Sequence, residues 1–138
     1  MRQAHLTLAV VTRGPGLYEF TKPVREFVAE TEMAEGLLTC FIRHTSASLL
    51  IQENADPDVQ RDLQDFFARL ARRGMDYRHT EEGPDDMPSH IRAALTQTSI
   101  GIPLHGGKLA LGTWQGIYVF EHRDAPQRRE VMLQLIGE

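Results

Sequence analysis

The stretch "LLTCFIRHTSASLLIQENADPDVQRD", Leu37–Asp62, decides how this chain folds. Leu37–Ile42 is apolar at almost every position, the pattern of a central strand covered on both faces. "ASLLIQE", Ala47–Glu53, reads as its partner strand. Asp56 then carries the side chain of a helix N-cap, with Pro57 at the first helical position. Val59, Leu63, Phe66 and Leu70 follow at helical spacing, and Gly74 stops the helix after Arg69, Arg72 and Arg73. At the junction of the two strands stand His44, Thr45, Ser46 and, one residue into the second, Ser48, a histidine and three hydroxyls where the core strand emerges. Strand ends are where a rigid scaffold presents reactive groups.

Working outward, Leu6, Leu8 and Val10 alternate with polar or small residues as in a half-buried strand. "GPG" (Gly14–Gly16) turns the chain into a second short strand, Leu17–Phe20. Thr21 and Pro23 open a helix whose Val24, Phe27 and Val28 share one face. The polar run "MDYRHTEEGPDDMPSH" leads into a third helix, capped by Asp85 or Asp86 and carrying Ile91, Ala94 and Leu95. Strands around Ile100–Leu104, Leu109–Thr113, Ile117–His122 and Val131–Ile136 complete the chain, with "HGGK" as a hairpin turn between the first two. Helices that do not alternate regularly with strands predict an α+β fold of layered, mostly antiparallel sheets with about three helices, one compact domain over residues 1–138.

The 138 residues carry 15 Lys and Arg against 19 Asp and Glu, a net charge of −4. That balance argues against nucleic-acid coating, whose affinity comes from phosphate neutralisation. A single cysteine, Cys40, excludes an intramolecular disulfide and a cysteine-rich zinc module. In its apolar setting Cys40 reads as a core thiol rather than a nucleophile. No apolar run approaches the ~18 residues of a membrane span, so the expected location is cytoplasmic, without a membrane partner.

Four of the six histidines (His44, His79, His90 and His122) stand at element ends among polar neighbours. Three imidazoles and a water make an open zinc site, which singles out His79, His90 and His122, although their spacing matches no local zinc code. In "IYVFEHR", His122 projects with Tyr118 and Phe120, and Glu121 with Ile117 and Val119. One of the two therefore enters a covered face, where a polar group needs a partner. Asp85 and Asp86 in the acidic loop can orient an imidazole or hold magnesium. Arg43 and Arg123 are candidate phosphate forks. "GIPLHGGKL" fails as a phosphate-binding loop, since Ile102 stands where its first glycine belongs.

"FIRHTSASLLIQENADPDV", "EGPDDMPSHI" and "GIPLHGGKLALGTWQGIYVFEHRDAPQRREV" together resemble the YjbQ-like family over essentially the whole chain. The resemblance implies a trimer with pockets between subunits. It also implies a secondary thiamine-phosphate synthase activity, joining a hydroxymethylpyrimidine pyrophosphate to a thiazole phosphate with release of pyrophosphate. It places His44, Ser46, Asp85, Asp86, Glu121 and Arg123 among the catalytic groups, with Thr45, Ser48, Trp114 and Gln115 at the substrate. A divalent metal, zinc or magnesium, would sit on His79, His90 and His122, with no organic cofactor. Trp114 is either a stacking surface for a heteroaromatic ring or packing between chains. The competing readings are a non-catalytic trimeric module that binds metal or a small ligand, and a zinc-dependent hydrolase of small phosphorylated metabolites.

Overall fold

The computed structural model describes residues 1–138 and contains eight strands and three helices. In chain order these are β1 (Arg2–Thr12), β2 (Gly16–Glu19), α1 (Thr21–Thr31), β3 (Gly36–Ile42) and β4 (Ala47–Glu53). After them come α2 (Pro57–Leu70), α3 (Asp86–Leu95), β5 (Ser99–His105), β6 (Lys108–Leu109), β7 (Gln115–Glu121) and β8 (Gln127–Gly137). One sheet has the order β1-β8-β3-β5-β6 and the other β2-β7-β4, every pairing antiparallel. The α+β architecture follows the sequence pattern. The pairing does not: β4 joins β7 in the second sheet, while β3 takes β8 and β5 as neighbours. Alternation fixes which face of a strand is apolar, but it does not name the strand alongside.

The core lies between the two sheets. Leu38, Cys40, Ile42, Ile100, Ile102, Val131, Leu133 and Leu135 come from the larger sheet, and Leu49, Ile117 and Val119 from the smaller. Val24, Phe27 and Val28 of α1 close one end of it. Each fully buried aliphatic side chain contributes about 1.5–3 kcal/mol relative to exposure. Cys40 is among them, and burial pushes its thiol up to about 12, so it is inert at neutral pH.

The expectation that β3 is covered on both faces is not met. Leu37 and Phe41 are half exposed, and Met132 and Ile136 of the neighbouring β8 share that open side. Gly36 and Gly137 face each other across β3 and β8, where a Cβ on Gly137 would stand 1.9 Å from the Glu35 carbonyl. Gly106 and Gly107 take positive φ (57° and 77°) in the β5–β6 turn, as a tight hairpin requires.

β7 is the strand that positions the site. Every residue from Gly116 to Glu121 is buried, because one face meets the larger sheet and the other lies under the helices. Phe67 of α2 packs edge-on against Phe120, ring centroids 5.3 Å apart. α3 presents a polar inner face: its buried residues are Asp86, Pro88, Ser89 and Arg92, whereas Leu95 is exposed. The sequence suggested the apolar Ile91, Ala94 and Leu95 for that role. A covered side that is polar must find hydrogen-bond partners for each of its groups.

Candidate functional site

Asp86 and His90 are four residues apart on α3 and therefore share one helical face. The loop before α3 returns His79 to the same place. His79 Nε2 lies 2.6 Å from Asp86 Oδ2, and His90 Nε2 lies 3.1 Å from the same oxygen. These three side chains can each offer one ligand atom, all within 4.8 Å of one another.

The protonation of His90 follows from its other nitrogen. Nδ1 is 2.8 Å from the Thr45 carbonyl, which can only accept, so Nδ1 carries the hydrogen. In a neutral ring Nε2 then presents a lone pair to the Asp86 carboxylate. Two lone pairs at that separation repel unless a proton or a cation lies between them. The motif residue Thr45 thus acts through its backbone, fixing the orientation of the His90 ring.

Arg123 holds the carboxylates from behind. Its Nε donates to Asp85 Oδ2 (2.9 Å), its Nη1 to Asp86 Oδ1 (2.7 Å) and its Nη2 to the Glu82 carbonyl (3.0 Å). Burial opposes ionisation of Asp86. Hydrogen bonding from His79, the charge His90 carries when its ring is protonated, and the Arg123 guanidinium outweigh it and keep the carboxyl below its usual range. Asp85 behaves likewise: burial is offset by the Asp124 backbone N–H and by Arg123. Asp85 occupies the N-cap position of α3, but its side chain accepts no capping hydrogen bond from the helix. Ser89 Oγ bridges the carbonyls of Asp85 (2.6 Å) and His122 (2.9 Å), tying α3 to the end of β7.

His122 is not part of the His79–Asp86–His90 group. It is 1% exposed, and its Nε2 is 3.0 Å from Ser48 Oγ, which in turn lies 2.6 Å from Thr96 Oγ1. Burial, reinforced by the Arg92 charge, drives its pKa down to about 3. Its Nδ1 and the Nε of Arg92 are buried without partners. The parity argument expected one of Glu121 and His122 in a covered face, and both are, since β7 is covered twice.

Glu121 is fully buried and accepts from Thr12 Oγ1 (2.6 Å), Arg129 Nε (2.7 Å) and the backbone N–H groups of His122 (3.0 Å) and Arg123 (3.1 Å). Burial raises its pKa and these donors, Arg129 first, more than reverse that. Ser46 Oγ accepts from Arg129 Nη2 (3.0 Å) and is likewise sealed. His44 Nε2 accepts the Glu130 backbone N–H (2.8 Å), and burial first, then Arg129, lowers its pKa. Glu121, Ser46 and Ser48 are therefore interior partners of the fold rather than groups on an open surface.

Trp114 and Gln115 stand at the start of β7, and Trp114 is 62% exposed. Arg123 lies past the other end. Seven strand steps from Trp114 to Glu121, at ~3.3 Å each, put roughly 20 Å between them within one chain. Sequence reasoning missed Ser89, Arg92, Thr96 and Arg129. It named Asp86 among the catalytic groups but not with His79 and His90 as a metal ligand, although Asp-x-x-x-His just inside a helix N-terminus places both side chains on one face.

With this geometry established, comparison with known proteins is direct. Residues 6–138 match the family model described as UPF0047 protein YjbQ-like. The chain belongs to the YjbQ-like UPF0047 family. UPF0047 protein sll1880 of Synechocystis sp. is 51% identical over 138 residues, covering 99% of this chain and 94% of that protein. UPF0047 protein YjbQ of Escherichia coli O157:H7 is 39% identical over 133 residues, 96% of each chain. The crystal structure of a YjbQ/UPF0047-family protein from Clostridium acetobutylicum superposes with a TM-score of 0.88 at 35% identity, covering 95% of this chain and 99% of that one. No helix here is long and apolar enough to cross a membrane.

Proposed function

We propose that this chain is a metal-assisted enzyme acting on small phosphorylated heterocycles. Its most specific reaction, on this reading, joins a hydroxymethylpyrimidine pyrophosphate to a thiazole phosphate. The observation that carries the metal is the anchoring of His90 Nδ1 on the Thr45 carbonyl: the neutral ring then aims an unprotonated nitrogen at a carboxylate already beside His79. Two imidazoles and one carboxylate fit zinc better than magnesium, which prefers oxygen donors. The ligand set is thus His79, Asp86 and His90, with Asp86 in the place expected of His122. Zinc bound there would supply Lewis-acid charge to a phosphate oxygen.

The chain's own residues prepare that site. Arg123 is a positioning residue, three of its N–H groups being committed to Asp85, Asp86 and Glu82. It sets the Asp86 rotamer and, with Asp85, keeps the loop against β7. In the reaction the bond from the pyrimidine methylene carbon to the pyrophosphate oxygen breaks, the oxygen keeping the electron pair. The thiazole nitrogen lone pair forms the new C–N bond, so atoms and charge balance.

A homotrimer belongs to this reading. The outer face of the larger sheet leaves Leu37, Phe41, Met132 and Ile136 uncovered, which suits contact with another copy. Only a second chain could bring Trp114 and Gln115 to this cluster. A second reading, a zinc-dependent hydrolase, is favoured by the openness of the cluster, since the His79 side chain is 46% exposed in the single chain.

The test is to incubate zinc-loaded protein and its His90→Ala variant with both thiamine precursors. Thiamine phosphate formed by the wild type, and lost by at least tenfold in the variant, supports the transferase. Orthophosphate release without thiamine phosphate supports the hydrolase. Equal rates for both proteins would remove the site from either reaction. Light scattering should give three times the chain mass, and Phe41→Arg should lower it.

A further inference from the structure

The loop between α2 and α3 lines an open recess of about 270 Å³ beside the cluster. Its lining includes Met75, Tyr77, His79, Thr80, Pro84 and Met87, with no carboxylate, lysine or arginine. Tyr77 Oη donates to the Arg72 carbonyl (2.8 Å), folding the loop back on itself and holding the phenol in the wall. His79 is the shared partition: its ring lines the hollow while its Nε2 meets Asp86. One side of the imidazole thus faces the proposed metal position, and the other a polarisable recess without carboxylate, lysine or arginine.

We infer that this hollow is the specificity pocket, taking an uncharged aromatic ring of a substrate whose phosphate lies at the His79–Asp86–His90 cluster. The inference rests on the metal reading proposed for that cluster. The size sets the occupant, because the hollow falls just below the ~300–1,000 Å³ of pockets for drug-sized ligands and so takes one ring. The wall chemistry sets its character. Thioethers favour aromatic partners by about 0.3–1.5 kcal/mol each, and a proline and a phenol add flat apolar surface. A second charged group has no counter-ion there and would be desolvated without compensation. The recess therefore selects monophosphates or diphosphates of single neutral rings over bare phosphates and over substrates charged at both ends.

The experiment measures binding of phenyl phosphate and methyl phosphate to the full chain by calorimetry, with zinc content determined on the same sample. Phenyl phosphate should bind at least tenfold more tightly, and Met75→Ala, which truncates a side chain 47% exposed, should cut that ratio at least threefold while zinc is retained. Zinc bound with equal affinity for the two phosphates would overturn the pocket and leave the metal site standing. Failure to bind zinc would remove both.

Discussion

Glu121 and Asp86 are carboxylates with almost no exposed surface, and each is gripped by an arginine, yet their remaining contacts differ. Around Glu121 the lone pairs are taken by a hydroxyl, two backbone N–H groups and the Arg129 guanidinium, deep between the sheets. Around Asp86 one oxygen is held by Arg123, and the other faces two imidazole nitrogens, of which that of His90 has no hydrogen to give when its ring is neutral. The first arrangement is closed, and its chemistry is used up in holding β7 against β8 and β1. The second keeps an acceptor-rich gap at a half-exposed rim. The same pair of residue types is scaffold in one place and candidate site in the other, and the count of satisfied lone pairs separates them.

The sharpest way to break this contrast is to remove each arginine. Arg129→Met leaves Glu121 charged and buried without its partner, which costs about 3–5 kcal/mol. Thermal unfolding should fall by about 10 °C or more. A loss below about 1 kcal/mol would show that the Glu121 network is not the closed scaffold described. Arg123→Gln frees Asp86 to rotate and should weaken zinc binding by about 10–100-fold, as loss of an outer-sphere partner does, with a smaller change in melting temperature. If the melting temperature dropped as far as for Arg129→Met, the two carboxylates would not differ in kind.

Acid provides the next test. The folded-state pKa of His122 is depressed to about 3, so its contribution to stability is fully present above its unfolded value near 6.5. As pH falls through that window the unfolded chain takes up a proton that the folded chain refuses. Stability should decline by about 1.4 kcal/mol per pH unit from this group alone. The His122→Phe variant should lack this slope above pH 5. Below that, protonation of Glu121 adds its own loss, because its folded pKa is lowered too. The smallest effect is expected at the exposed Arg61–Asp58 pair on α2, where Arg61→Ala should change stability by less than about 1 kcal/mol.

Much of the fold was legible because its signals are local. Asp56 accepts from the Asp58 N–H at the start of α2 as its N-cap chemistry predicts, and "HGGK" turns between β5 and β6. The pairing of β4 with β7 was not legible, since apolar alternation is the same whichever strand lies beside it. Of the site, His79, His90 and the acidic loop were visible as residue types at element ends. The separation of His122 from them was not, because it depends on β7 being covered on both faces. Nor could Arg129 be found, since its partner Glu121 is eight residues away across a chain reversal and carries no spacing signature. Trp114 stood out by composition, but only strand length shows it to be at the far end of β7.

Metal analysis of protein purified without chelator and reconstituted with zinc tests the central claim most directly. The account predicts about one zinc per wild-type chain, the same for His122→Phe, and none for an Asp86→Ala variant that still melts cooperatively. Zinc retained by Asp86→Ala, or lost only when His122 is replaced, would contradict it.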